Sequence, residues 1–266
     1  MSSIDVPLRD SRFGSTARRD RWWLTPALVF IGLGAFVAYA TWAAFQGNYY
    51  RFGPYLSPFY SPEIFGDPVH ALGGAWPAWW PSWLASAALL ILWAPAGFRL
   101  TCYYYRGAYY KAFWADPPSC SVGEPRKRYL GERSFPLILQ NAHRFFMYLA
   151  LIFLVILALD VWRALWFVNP QTGHEEFGIG VGTLVLAVNV VLLSCYTFGC
   201  HSLRHLVAGG LDEVSKRHNR SRAYSCVGCL NRRHMLFAWM SLFAVMFADL
   251  YVRLCAMGIW TDWRIV

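Results

Sequence analysis

Residues 145–167 read FFMYLALIFLVILALDVWRALWF, an almost unbroken apolar run. The hydrocarbon core of a bilayer is about 30 Å thick, and a helix needs about 20 apolar residues to cross it. A helix at the surface of a soluble domain keeps a polar face, which this run lacks. The segment therefore predicts a transmembrane helix and indicates that the protein folds in lipid.

Four further apolar runs of similar length predict four more spans. The predicted spans are Trp22–Phe45, Trp76–Phe98, Phe145–Phe167, Gly178–Phe198 and Met235–Trp260. Tryptophans lie near the ends of these runs, where amphipathic rings favour the headgroup region. Only 15% of the residues are charged, whereas soluble domains have about 25%. We therefore expect an all-α integral membrane bundle of five transmembrane helices, with residues 1–266 forming a single transmembrane domain.

The basic residues predict the orientation of this bundle. The net charge is +9, and 20 of the 24 Lys and Arg residues lie in three segments, residues 1–21, 99–144 and 199–234. Cytoplasmic segments of membrane proteins carry an excess of Lys and Arg. The N-terminus is therefore predicted to be cytoplasmic, and an odd number of spans places the C-terminus outside. Because orientation explains the charge, we expect no nucleic-acid partner.

Cysteines and histidines concentrate at the predicted cytoplasmic ends of the spans. Disulfides are disfavoured in a reducing compartment, so these thiols are packed residues or candidates for a metal or redox centre. An HxxxH pair lies on one helix face, and a CxxC pair can chelate one metal. Such a set suits tetrahedral zinc and equally a Rieske-type 2Fe-2S cluster. The candidate ligands are Cys226, Cys229, His201 and His205, with Cys200 and His234 as reserves.

Haem is the competing cofactor, because histidines at the ends of adjacent helices are common axial ligands in membrane cytochromes. One haem on the cytoplasmic side, for example between His143 and His205, is compatible with the sequence. Two stacked haems would require histidines in the outer halves of the spans, but His70 and His174 lie in predicted external loops. The residue pattern alone leaves zinc, iron–sulfur and haem open.

Three stretches at the same predicted depth resemble a known family. Residues 102–106 read CYYYR, residues 135–144 read FPLILQNAHR, and residues 200–210 read CHSLRHLVAGG. Together with the five spans, they resemble the single-polypeptide membrane anchor of actinobacterial succinate:quinone oxidoreductase, or succinate dehydrogenase. The resemblance implies a multi-pass subunit of the bacterial cell membrane that is not catalytic alone. It also implies that flavoprotein and iron–sulfur subunits dock on the cytoplasmic face and that electrons pass to menaquinone.

The resemblance bears on the cofactor and on the quinone site. Related dihaem anchors use histidines spread over four spans, a pattern that this chain lacks, so the 2Fe-2S centre is favoured over haem b. A haem b anchor of another quinone-linked respiratory oxidoreductase is the alternative. Aromatic walls and hydrogen-bond donors for quinone are expected at the cytoplasmic ends of the spans. The candidate quinone-binding residues are Tyr103, Tyr104, Arg106, Trp114, Gln140 and His143.

Two acidic and two basic residues lie within the outer halves of the predicted spans. Asp160 and Arg163 belong to the third span, and Asp249 and Arg253 belong to the fifth. An ionisable group in the bilayer costs roughly 2.5–3.5 kcal/mol on insertion scales, so these charges are expected to be paired. The two aspartates have similar predicted heights, which allows pairing between the spans. The alternatives are a structural salt bridge and a proton or quinone site near the outer face.

Overall fold

A computed structural model of the chain describes residues 12–125, 133–135, 137–209, 213 and 216–266. The helices in these ranges are α1 (Leu24–Gln46), α2 (Ala87–Ile91), α3 (Trp93–Leu100), α4 (Tyr103–Ala112), α5 (His143–Arg163), α6 (Val181–Phe198), α7 (His201–Ala208), α8 (His218–Arg232) and α9 (His234–Ala256). Short 3-10 helices span Ser82–Leu84 and Leu137–Ala142, and the strands are β1 (Arg51–Phe52), β2 (Tyr55–Leu56), β3 (Trp166–Val168) and β4 (Glu175–Phe177). Some residues that were counted among the basic residues or quoted within a stretch lie outside the described ranges. They are Arg9, Arg126, Lys127, Arg128, Pro136 and Gly210.

In the described ranges, four helical segments are long and apolar enough to cross a membrane: α1, α5 with the 3-10 helix before it, α6 and α9. They coincide with four of the five predicted spans. The second predicted span, residues 76–98, is instead divided into a 3-10 helix, α2 and α3. Pro95 has no N–H to donate to the carbonyl of Ile91, so a regular helix cannot run through this position. The sequence predicts that Pro81 and Pro95 kink or end the second span, and the structure divides the helix at Leu92, close to Pro95.

The chain between α1 and α5 reaches both ends of α5. Ser61 donates a hydrogen bond to Asp160 near the end of α5, whereas Thr101 Oγ1 lies 2.9 Å from His143 Nδ1 at its beginning. These two positions on α5 are about 26 Å apart at 1.5 Å per residue. We call the two ends of the bundle the Asp160 end and the His143 end.

The ends of α1 follow from local chemistry. Pro26 lies in the first turn, where a backbone N–H has no helical partner and proline is tolerated. Gly47 adopts φ 61°, the left-handed conformation that commonly ends a helix. Its N–H donates to the Tyr60 hydroxyl at 3.0 Å, and that hydroxyl donates to the Ala43 carbonyl at 2.7 Å. The end of α1 is thereby attached to the connection that follows it.

The connection between α1 and the divided segment is packed into the bundle. Strands β1 and β2 form an antiparallel hairpin with Phe52 opposite Tyr55. The Tyr55 and Tyr60 side chains are fully buried, as are Ser57 and Ser61. The two serines reach the charged residues of α9 and α5, respectively. This connection therefore acts as a structural part of the core at the Asp160 end.

The charges in the spans are paired within each helix rather than between helices. Arg253 Nε donates to Asp249 Oδ2 at 2.8 Å, and both side chains are almost completely buried. Asp249 also accepts hydrogen bonds from Ser57 and from Tyr39, the latter at 2.6 Å. Further Arg253 donors satisfy backbone carbonyls at the end of α1. Asp160 lies 3.5 Å from Arg163 of its own helix. The charges are paired as expected, but each partner lies on the same helix rather than on the other span.

Replacing Asp249 by alanine should lower the free energy of unfolding by about 3–5 kcal/mol, because Arg253 would remain buried without its carboxylate. The control is Lys216→Ala, which removes an exposed ion pair with Glu213 and should cost at most about 1 kcal/mol. Thermal unfolding in detergent measures both. Equal destabilisation by the two variants would contradict the structural role of the buried pair.

Candidate functional site

Four helix beginnings bring two cysteines and two histidines together at the His143 end. Cys102 and Cys200 are the N-cap residues of α4 and α7, and His143 and His234 are the first residues of α5 and α9. Both cysteines and His234 are at most 2% exposed. We call these four residues the Cys/His cluster. The helix beginnings therefore place these four side chains at one end of the bundle.

The four side chains form two close Cys–His pairs. His143 Nε2 lies 3.2 Å from Cys200 Sγ, and His234 Nε2 lies 3.6 Å from Cys102 Sγ. The second nitrogen of His143 contacts Thr101. The second nitrogen of His234, Nδ1, is buried and has no hydrogen-bond partner among the described residues. An unsatisfied buried nitrogen is costly, so this atom is available for a ligand.

Aromatic rings hold both imidazoles in place. Phe98 stacks on His143 with ring centroids 4.7 Å apart and an interplanar angle of 7°. Tyr196 stacks on His234 with centroids 4.9 Å apart and an angle of 19°. Tyr104 packs against the same histidine from another direction at 5.2 Å. The orientation of the rings is therefore fixed by packing as well as by polar contacts.

The environment of Cys200 favours the protonated thiol. Burial raises the pKa of Cys200, and a negative charge on Cys102 would raise it further, whereas the backbone N–H groups of Leu203 and Ser202 act in the opposite direction. Two thiolates beside each other in a buried site require compensating positive charge. A bound metal centre supplies such charge, because it stabilises its cysteine ligands as thiolates.

The Cys/His cluster has the composition of a mixed-ligand iron–sulfur site. A Rieske-type 2Fe-2S cluster takes two cysteines on one iron and two histidines on the other. A single zinc ion would need all its donor atoms about 2.0–2.3 Å from one point. In the part of the chain that the structure describes, no three His, Cys, Asp or Glu side chains are grouped in a way that suits one metal ion. The two close contacts in the Cys/His cluster each join a cysteine to a histidine.

The structure does not bring the four principal predicted ligands into one group. His201 and His205 lie on α7 with their Nε2 atoms 2.9 Å apart, and both are exposed. Burial, His205 and Arg204 all lower the pKa of His201. Cys226 and Cys229 are exposed within the continuous helix α8, which lacks the bend expected of a chelating CxxC motif.

The two reserve ligands, Cys200 and His234, belong to the Cys/His cluster, whereas Cys102 had no predicted metal role and His143 was assigned to quinone. The predicted haem pair also has separate partners. His143 contacts Cys200, and His205 contacts His201. The signal in the sequence was depth, because all four residues lie at the predicted cytoplasmic ends of the spans.

The six predicted quinone-binding residues divide between the Cys/His cluster and the region of α4. His143 is held in the Cys/His cluster. Gln140 Nε2 donates to the hydroxyl of Tyr109 on α4 at 2.6 Å. The Arg106 guanidinium lies 5.6 Å from the centre of the Tyr103 ring, and Tyr103 is 71% exposed. The five residues on or beside the surface of α4 are Tyr103, Tyr104, Arg106, Trp114 and Gln140. Their role in quinone binding stays a prediction.

Comparisons with known proteins agree over most of the chain. Residues 24–258 match the family model described as actinobacterial succinate dehydrogenase subunit SdhC. The structure is also similar to a chain of the Mycobacterium smegmatis Sdh1 complex in the apo form, with 41% sequence identity, a TM-score of 0.85 and 100% of both chains covered. Comparison with curated proteins gives no match.

The accessibility of the thiols should divide the cysteines into two classes. We expect a maleimide to modify the exposed Cys226 and Cys229 rapidly at neutral pH in mild detergent, and to leave Cys102 and Cys200 unmodified. Mass spectrometry of proteolytic peptides measures the modification, and complete unfolding in SDS should make all four reactive. Protection of Cys226 and Cys229 in the folded protein would indicate that they, rather than the buried pair, are occupied.

Proposed function

We propose that the chain passes electrons to quinone through a buried 2Fe-2S centre. The proposal starts from the family, because the chain belongs to the actinobacterial succinate dehydrogenase subunits SdhC. The chain is the multi-pass membrane subunit of a bacterial succinate:quinone oxidoreductase. It is not catalytic alone, and its partners are the flavoprotein and iron–sulfur subunits, the plasma membrane and quinone. The resemblance predicted from the sequence is confirmed at this level.

The electron balance defines what the subunit must do. Oxidation of succinate to fumarate releases two electrons and two protons in the soluble subunits. Reduction of a quinone to a quinol consumes two electrons and two protons. The membrane subunit therefore has to bind a quinone within electron-transfer distance of the last donor, and menaquinone is the quinone implied by the family resemblance.

The Cys/His cluster is the observation that supports an electron-carrying centre. Cys102 and Cys200 would hold one iron, and His143 and His234 would hold the other. When bound, a 2Fe-2S cluster accepts and releases single electrons, and its histidine ligands raise its reduction potential above that of a plant-type all-cysteine cluster. The protein orients His143 through Thr101 and excludes water through the burial of both cysteines.

We also propose that the chain crosses the membrane five times as one transmembrane domain, with the N-terminus in the cytoplasm and the C-terminus outside. The contacts of Ser61 with Asp160 and of Thr101 with His143 support a second crossing between α1 and α5. The basic residues near the His143 end support a cytoplasmic position for that end. Four crossings would instead return the C-terminus to the side of the N-terminus.

Reporter fusions test this topology. Bacterial alkaline phosphatase forms its disulfides only outside the cytoplasm, so a fusion after Val266 should be active, whereas a fusion after Ala112 should be inactive. Immunoblots control for expression of the two fusions. An inactive fusion at Val266 together with an active one at Ala112 would contradict the proposal, because this pattern results from four crossings with a cytoplasmic N-terminus and also from five crossings in the reverse orientation.

Cysteine substitutions test the electron-carrying centre. Cys102→Ser and Cys200→Ser should each abolish a paramagnetic signal from the reduced membrane subunit and block quinone reduction, because each removes one ligand of the same iron. Cys226→Ser and Cys229→Ser are matched controls and should preserve both properties. Dye-linked succinate oxidation by the purified complex reports that the soluble subunits are intact.

Loss of the signal in the Cys226 and Cys229 variants alone would favour the ligand set predicted from the sequence. Metal analysis provides an independent outcome. Zinc without additional iron in the membrane subunit, or an optical spectrum of low-spin haem alone, would contradict the iron–sulfur centre and leave the anchor role unaffected.

A further inference from the structure

A buried threonine connects the second membrane segment to one histidine of the Cys/His cluster. Thr101 is the C-cap residue of α3 and is 3% exposed. Its Oγ1 lies 2.9 Å from His143 Nδ1. The next residue in the chain, Cys102, contacts His234. Two consecutive residues therefore contact the two histidines of the cluster.

The contact between Thr101 and His143 depends on a close approach of α3 to α5. Gly97 lies one turn before Thr101 on the same side of α3, and Phe146 lies three residues after His143 on the same side of α5. A Cβ at Gly97 would overlap ring carbons of Phe146. The glycine therefore lets the two helices come close enough for the hydroxyl to reach the imidazole.

The hydrogen bonds of the Thr101 hydroxyl define which nitrogen of His143 carries the proton. Thr101 Oγ1 donates to the Gly97 carbonyl at 2.7 Å. A carbonyl has no proton to give, so the single hydroxyl proton of Thr101 lies in this bond. Toward His143 the hydroxyl then accepts, and Nδ1 is the donor. The neutral imidazole consequently has its proton on Nδ1 and its lone pair on Nε2.

The nitrogen with the lone pair faces a cysteine of the cluster. His143 Nε2 lies 3.2 Å from Cys200 Sγ. Phe98 stacks on the ring with the two planes 7° apart, which holds the imidazole in this orientation. A neutral imidazole binds a metal through its unprotonated nitrogen. The surroundings of His143 therefore present Nε2 to a metal that Cys200 also holds.

We propose that Thr101 is a positioning residue that fixes the tautomer of His143, so that the metal centre is bound through Nε2. The inference rests on the proposed electron-carrying centre and deepens it by assigning the ligating nitrogen. An acceptor for the second N–H raises the basicity of a metal-bound imidazole. A more basic ligand stabilises the oxidised metal, so the Thr101 hydroxyl lowers the reduction potential of the centre.

Isotope labelling of the wild-type three-subunit complex tests the ligating nitrogen directly. Histidine labelled with 15N at Nε2 should give a strong hyperfine coupling in pulsed EPR of the reduced membrane centre, because Nε2 of His143 is bonded to iron. Histidine labelled at Nδ1 provides the comparison. Strong coupling from Nδ1 alone would overturn the proposal and leave the electron-carrying centre in place.

Removal of the Thr101 hydroxyl tests the positioning role. Thr101→Val keeps the shape of the side chain and should raise the reduction potential of the centre. It should also make the loss of iron to a chelator about tenfold faster, the usual effect of removing a hydrogen bond to a metal ligand. Thr101→Ser keeps the hydroxyl and should retain both wild-type values. Redox titration followed by EPR measures the potential, and metal analysis measures the iron.

Thr183→Val is the matched control. Thr183 is also 3% exposed, and its Oγ1 donates to the Ala164 carbonyl at 2.7 Å, but it lies at the Asp160 end of the bundle. Loss of this bond should lower the thermal stability and leave the potential and the iron unchanged. An equal change of potential in Thr183→Val and Thr101→Val would overturn the positioning role, as would an unchanged potential in an assembled Thr101→Val complex.

The wild-type complex separates this proposal from the proposed function. If its membrane subunit holds no redox-active iron, the electron-carrying centre fails, and the assignment of Thr101 fails with it. If the centre is present and Thr101→Val does not assemble, the isotope measurement on the wild-type complex decides the ligating nitrogen.

Discussion

A backbone in hydrocarbon has to satisfy its own hydrogen bonds, and this constraint organises the whole molecule. Continuous helices satisfy it in α1, α5, α6 and α9. The divided segment formed by α2 and α3 packs against α1 and α5. The connection after α1 meets the same requirement through buried serines and tyrosines, which bond to helix carboxylates and carbonyls. Irregular backbone therefore occurs where protein groups replace water.

The buried polar and charged side chains are consequently concentrated in two layers, one at each end of the bundle. At the Asp160 end, the buried Asp249–Arg253 pair ties α9 to the end of α1 and to Ser57 of the connection that follows it. At the His143 end, the Cys/His cluster joins α4, α5, α7 and α9. The first layer is a satisfied network of hydrogen bonds, which stabilises the fold. The second retains the unpaired Nδ1 of His234, as expected of a site that holds a ligand.

The sequence predicted the fold more completely than the site. Apolar runs identify helices in lipid because length and composition decide membrane insertion, and Pro95 marked the segment that departs from one continuous helix. The Cys/His cluster was harder to predict, because its members are far apart in the chain and meet only through helix packing. The motifs CxxC and HxxxH report proximity along one helix, whereas Cys102 and His234 become neighbours only when α4 and α9 pack together. The sequence analysis assigned the partners of the Cys and His residues by spacing, which helix packing does not follow.

The placement of each cluster residue at a different helix beginning has a consequence for biogenesis. A ribosome delivers Cys102, His143 and Cys200 to the membrane well before His234, which begins the last helix. Until α9 inserts and packs, the nascent chain offers an incomplete set of donors, so a cofactor cannot be fully ligated. Maturation of the proposed centre would thus be coupled to completion of the bundle, and a chain truncated before His234 would lack one of the four donors.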